Sequence, residues 1–182
     1  METIPFPDKK YNIIYADPPW ELKAGPEWKS KGETRDLTYP TMTIKEIEDL
    51  PVSEICSKDC HLYLWIVNKY IQEGYSIAKI WGFKPIVLLT WCKPKHGLGL
   101  GGAYIQTTEH LLFCKKGSLP TQARIDTTWF EHKRLSHSTK PDFFRSMISK
   151  VSGDLPRIEL FARQRAEGWD AWGNEVPMLC SS

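Results

Sequence analysis

Asp17-Pro18-Pro19-Trp20 gathers a carboxylate, two carbonyls flanked by missing N–H donors, and a flat aromatic ring. That set suits one task, gripping a planar amine. An exocyclic amine offers two hydrogens, one for the Asp17 carboxylate and one for a proline carbonyl, while the Trp20 ring stacks on the base. As the nitrogen attacks a methyl donor it becomes positive, and the carboxylate and carbonyl dipoles stabilise that charge. The plainer alternative is a strand-end turn with a solvated aspartate and a packed tryptophan. Asp-Pro-Pro-aromatic directly after a hydrophobic strand is unusual enough to favour the chemistry.

These residues need a rigid mount, and the preceding run supplies one. Residues 13–16 (Ile, Ile, Tyr, Ala) read as a short buried strand. Two prolines fix φ and remove N–H groups, so the ladder stops there, and Asp17, ahead of the first, is pushed to an extended conformation. Residues 21–40 follow as a long loop without apolar periodicity, the place for a lid or a substrate contact, where Lys23, Lys29, Lys31 and Arg35 could meet phosphates against four acidic residues. Thr43 and Glu46 form a capping-box pattern ahead of a short helix carrying Ile44, Ile47 and Leu50 and ended by Pro51.

Residues 62–67 read as a strand. Asn68 is placed to cap a helix with Ile71, Tyr75 and Ala78 on one face and Gly82 as its stop, and residues 85–91 form another strand. The stretch 93–108 contains Gly97, Gly99, Gly101 and Gly102. It matches GxGxxG formally, but no amphipathic helix opens after it and no acidic residue follows at the required distance, so a glycine-rich active-site loop is the better reading. Residues 109–115 read as a strand, with an antiparallel edge hairpin expected at Gly117. Residues 124–139 are basic and aperiodic. Pro141 opens a helix whose Phe144, Met147, Ile148 and Val151 make a core stripe ended by Gly153, and residues 157–162 form the last clear strand. Glu159 sits mid-strand, facing solvent or a partner. Strands alternating with helices imply parallel βαβ units in an α/β sheet.

At 182 residues, 41% hydrophobic and 25% charged, the chain is expected to form a single domain, 1–182. No apolar run reaches transmembrane length and no signal peptide opens the chain, so a cytoplasmic location without membrane contact is expected. Five scattered cysteines argue against a disulfide framework, and Cys56 and Cys60 lack a second pair for a zinc site, so no metal is expected. The net charge of +2 conceals a basic segment: residues 91–145 hold nine Lys/Arg against four Asp/Glu, fit either to draw a phosphate backbone or to stay solvated. Neither helix-turn-helix nor zinc-finger spacing appears.

A second anchor stands about 140 residues after the first: Arg157-Ile-Glu-Leu-Phe-Ala-Arg163, then Gly168-Trp-Asp-Ala-Trp-Gly-Asn-Glu175. With both anchors in this order the chain resembles the DPPW-type adenine N(6)-methyltransferases. That family contains the catalytic subunit of the eukaryotic messenger-RNA adenosine methyltransferase and many small bacterial and phage DNA adenine methyltransferases. The resemblance covers nearly the whole chain. It implies a Rossmann-like methyltransferase fold, mostly parallel with one antiparallel strand, in the circularly permuted beta-class motif order. It implies S-adenosylmethionine as donor and the N(6) amine of adenine as acceptor, in DNA first and RNA second. Asp17, Pro18, Pro19 and Trp20 would be catalytic. Asp17, Lys140, Arg163, Arg165, Asn174 and Glu175 would bind the donor, Lys140 at its carboxylate and Asp17 near its amino group. Trp20, Lys23, Tyr39, Lys93, Lys95 and Tyr104 would meet the substrate, with Trp20 and Tyr39 or Tyr104 receiving the flipped base. A homodimer or partner subunit is expected to complete so short a chain, and a non-catalytic donor-binding subunit is the other class of reading. Three departures stand out. No acidic residue upstream of Asp17 corresponds to the one that holds the donor adenine, Arg165 replaces a histidine, and Glu175 replaces a glutamine.

Overall fold

The computed structural model describes residues 4–21, 40–94, 104–133 and 140–176. Strand β1 (Tyr11–Ala16) is apolar on both faces and lies inside a seven-stranded sheet. The other strands are β2 (Cys56–Ile66), β3 (Lys84–Cys92), β4 (Thr108–Lys116), β5 (Trp129–Glu131), β6 (Arg157–Leu160) and β7 (Asp170–Trp172), in the spatial order β5-β3-β4-β2-β1-β6-β7. β1 pairs in parallel with β2 and β6, β3 with β5, and β6 with β7, whereas β4 runs antiparallel to both of its neighbours. This is the mostly parallel Rossmann-like sheet with one reversed strand.

Helices cover both faces. α1 (Ile44–Glu48), α2 (Val52–Ile55) and α3 (Ile71–Ile80) accompany the core built on Ile14, Ala16, Leu62 and Leu64. α4 (Asp142–Ser152) packs Phe144, Met147 and Ile148 on the other face, against Tyr15, Trp65, Trp91 and Phe113. Alternation along β1 sends Ile13 and Tyr15 to α4 and Ile14 and Ala16 to the opposite layer. The capping box forms as read: Thr43 Oγ1 accepts from Glu46 N at 3.3 Å and Thr43 N donates to the Glu46 carboxylate at 2.7 Å. Among the described residues no helix is long and apolar enough to cross a membrane.

Several expectations give way. β4 is interior rather than an edge, because Leu111 to Cys114 are buried on both faces, which an edge strand cannot achieve. Asn68 caps no helix. It opens a 3-10 turn (Asn68–Tyr70), and its amide donates to Thr108 O and Oγ1, both at 3.2 Å. β2 begins at Cys56 and takes up extra residues, since Tyr11 pairs with Cys56 but Ile13 with His61. β5 and β7, three residues each, are too short to show alternation in the sequence.

A buried polar chain joins β2 to the end of α4. Because Leu119 O can only accept, His61 Nε2 donates to it at 3.1 Å, so Nδ1 accepts from Ser152 Oγ at 2.8 Å, and Ser152 accepts from Tyr63 OH at 2.8 Å. Neutral imidazole satisfies every partner. Burial holds His61 below its ordinary value of 6.5, and burial lowers His110 likewise. The unfolded chain therefore binds protons that the folded one refuses, and stability falls as pH drops from 6.5 toward the folded value. Urea midpoints measured from about pH 8 to pH 5 should decline at the acid end. His61→Gln should flatten that decline, and an unchanged slope would refute the assignment.

Candidate active site

The chain leaves β1 toward β2 on one side and β6 toward β7 on the other, so the crevice above their carboxyl ends is a topological switch point. Ligands of open α/β sheets bind at such points. Asp17 emerges there, its N–H donating to Leu160 O at 3.4 Å. The proline carbonyls each carry one bond: Pro18 O accepts from Trp20 N and Pro19 O from Met42 N, both at 2.9 Å. Each keeps a second lone pair.

Trp20 does not present an open face. It is 3% exposed, stacks on Tyr70 at 5.4 Å and donates its indole N–H to Trp65 O at 3.1 Å. A ring that large, following two prolines at the carboxyl end of an interior strand, is better buried than left to solvent. Packed in this way the ring braces the turn and leaves little of its face open.

The Asp17 carboxylate meets Lys140 Nζ at 2.7 Å, and the same ammonium lies 3.2 Å from Glu109. Glu109 also binds Lys93 at 2.7 Å. Four charges thus alternate, contributed by the ends of β1 and β3, the start of α4 and the start of β4. Trp65 lies beneath, its ring centroid 5.1 Å from Lys140 Nζ and its N–H donating to Tyr15 OH at 2.7 Å. Burial pushes the Asp17 carboxyl above its ordinary value of 3.8, and the shared ammonium only partly offsets this. For Glu109 burial also pushes up, but Lys140 and Lys93 together outweigh it and hold the carboxyl below its usual range. Lys140 is kept firmly protonated, its desolvation more than offset by the two carboxylates. Glu109 and Trp65 were missed in the sequence. The available signal was a carboxylate directly after the glycine-rich stretch at a strand's start, which counts only once β4 is known to run backwards.

The second anchor forms the other wall. β6 ends at Leu160, and Phe161 takes φ 62, the left-handed region, before Ala162 N donates to Trp172 O at 3.0 Å. Arg163 follows, exposed, with Nε 3.6 Å from the Glu175 carboxylate, and its charge acts on Asp17. Asn174 is exposed in the turn after β7. Arg165 departs from expectation: it lines a groove with Arg145, Ser149 and Trp169 against α4, and its charge bears on Asp170 at the amino end of β7. The crossover has turned away from the crevice by that residue. Tyr104 is 88% exposed and stands apart from the charged cluster. Lys23, Tyr39 and Lys95 lie outside the described residues. Mid-strand Glu159 holds a partner, receiving Arg145 Nε at 2.6 Å and Nη2 at 3.0 Å, which joins α4 to β6 below the crevice.

Gly173 lets the two segments of this wall approach closely. A Cβ there would fall 2.3 Å from Ala162 O and 2.7 Å from Ala162 N, both backbone atoms. Gly173→Ala should therefore force the Arg163 and Asn174 segments apart. Overpacking of this kind costs about 1–3 kcal/mol, so the urea denaturation midpoint of the variant should fall below that of the wild-type chain.

The MT-A70 family pattern matches residues 11–175. A "Type II methyltransferase M.MunI" of Mycoplasma sp is 35% identical over 189 residues, covering 94% of this chain and 80% of that protein. The human "N(6)-adenine-specific methyltransferase METTL4" is 24% identical over 196 residues, and the human "N(6)-adenosine-methyltransferase catalytic subunit METTL3" 26% identical over 178. The chain spans only 38% and 28% of the length of these two human relatives. With both anchors at one switch point and the match running across nearly all of its length, the chain belongs to the MT-A70 family.

Proposed function

We propose that this chain transfers a methyl group from S-adenosylmethionine to the exocyclic N(6) amine of adenine in DNA. The observation that carries the proposal is the Asp17 carboxylate, fixed at the switch point by a Pro-Pro turn and sharing one ammonium with Glu109. The donor set suits this methyl donor. A molecule bearing a carboxylate, an ammonium and ribose hydroxyls finds a cation in Lys140, an anion in Asp17 and polar acceptors in Asn174 and Glu175. When bound, the donor supplies an electrophilic methyl on a sulfonium.

The residues do the rest. Lys140 is positioned to take the donor carboxylate, which loosens its hold on Asp17. Asp17 then accepts from the target amine and offsets the positive charge that develops on nitrogen. The second lone pair of a proline carbonyl accepts the other amine hydrogen. Lys93, held by Glu109, stands at the crevice rim for a backbone phosphate. Orientation and charge placement supply the acceleration. DNA is preferred because the chain covers most of the type II methyltransferase but a minor part of its adenosine-methylating relatives, matching the compact bacterial branch.

The test is methyl transfer from isotope-labelled donor to matched DNA and RNA, single- and double-stranded, with Asp17→Ala as control. N(6)-methyladenine in DNA and its loss in the control are expected. Label in RNA alone would move the substrate assignment, and no label despite donor binding would overturn the catalytic reading.

A further inference from the structure

The end of the sheet opposite the crevice has its own charge pattern. The amino ends of β1, β2 and β3, the carboxyl end of β4 and the last turn of α3 converge there, bringing Lys10, Lys58, Lys84, Lys115, Lys116 and Lys79 to one pole. Lys84 and Lys115 are direct cross-strand partners, a like-charge pairing that is unfavourable unless something offsets it. Among the described residues Lys58, Lys79, Lys84 and Lys116 make no ion pair. Of the nearby carboxylates, Asp59 is taken up by Ser118 N at 2.6 Å, and Glu54 meets Lys10 only through its backbone carbonyl. The contrast with the crevice is sharp, since Lys93 and Lys140 are both neutralised there by carboxylates. The Cys56 thiol beside the row is lowered chiefly by its hydrogen bond with Cys60, and Lys116 and Lys10 add to that.

We infer that this pole is a second nucleic-acid surface, a row of lysines that grips the phosphodiester backbone away from the base being methylated. The inference rests on the nucleic-acid reading of the crevice. From β1 to β3 the row crosses three strand spacings, about 14 Å, enough for roughly four phosphates of one strand. β1 is about 20 Å long, so the row lies too far from Asp17 to touch the nucleotides beside the target adenine. It holds a flank of the same polymer, one long enough to bend around the domain. Leaving Lys58, Lys79, Lys84 and Lys116 without carboxylate partners among the described residues here, while pairing the lysines at the crevice, separates sequence-independent holding from chemistry.

The test compares the wild-type chain with Lys58→Gln/Lys84→Gln/Lys116→Gln, and with Lys84→Gln alone, on a 12-base-pair and a 60-base-pair duplex without donor. Removing three phosphate contacts should reduce the slope of log affinity against log salt by about 2–3 on the long duplex, and Lys84→Gln by about 1. Affinity for the long duplex, which can reach the crevice and the row together, should fall at least about tenfold at low salt, and by more than affinity for the short one, which can fill only one of them at a time. Equal slopes on the long duplex would overturn the inference. So would tighter wild-type binding to phosphatidylserine vesicles than to the long duplex, which would assign the row to a lipid surface. Methyl transfer is not the readout: a chain that binds long DNA in this way yet methylates nothing would defeat the proposed function and leave this inference standing.

Discussion

Asp17→Asn should lower methyl transfer by about 10²–10³-fold, the loss typical when one preorganised partner of a developing charge is removed. The amide preserves shape but carries no charge and turns one acceptor into a donor aimed at the amine. The fold should survive, because Lys140 keeps Glu109 and no buried ion is left alone. In the wild-type enzyme Asp17 must be ionised to accept. With its carboxyl pushed above the ordinary 3.8, the acid limb of the pH–rate profile should lie above that value. Steady-state rates with a labelled donor between about pH 4 and pH 8 measure both effects. A variant that turns over as fast as wild type would remove Asp17 from the chemistry.

Lys140→Met should be the more damaging change. It deletes the cation proposed for the donor carboxylate and leaves Asp17 and Glu109 facing each other, with Lys93 beside Glu109 alone. Breaking a buried pair costs about 3–5 kcal/mol when a charge is left uncompensated. The cost has a pH signature. Without its ammonium the Asp17 carboxyl rises further above its unfolded value, so the folded variant binds a proton that the unfolded chain releases. The penalty is small below the unfolded value and grows as pH rises toward the folded one. Denaturation midpoints of wild type and variant should converge near about pH 4 and separate toward neutrality. Donor binding should be lost throughout. A constant gap in midpoints would show that Lys140 contributes packing rather than charge.

Much of this site could be read from the chain because its signals are local. A buried strand followed by two prolines announces where Asp17 is held, and the apolar stripe of α4 announces the helix that begins beside Lys140. Asp17 follows from the first of those fixed points, whereas Lys140, Arg163 and Glu175 are singled out by the family resemblance. What stayed hidden depends on the sheet. Glu109 reaches the crevice only because β4 runs opposite to its neighbours, a property of pairing rather than of composition. Trp20 looks like an open platform in sequence, yet Tyr70 and the Trp65 carbonyl claim it once the turn is built. Arg165 sits two residues beyond Arg163, but the crossover bends between them, and no periodicity encodes that bend. β7 is too short to announce itself, although it positions Asn174.

Phe161 also has a bearing on when the site forms. A left-handed conformation costs a non-glycine residue about 1–2 kcal/mol. The ring leans edge-on against Trp172 at 5.5 Å, and Ala162 N donates to the Trp172 carbonyl. Before β7 has docked, neither offset exists, and the backbone beyond Leu160 has no reason to turn toward the crevice. The segment carrying Arg163 is therefore expected to set late in folding, only after the sheet's last strand has closed, so a nascent chain should complete its core before this side of the crevice takes shape.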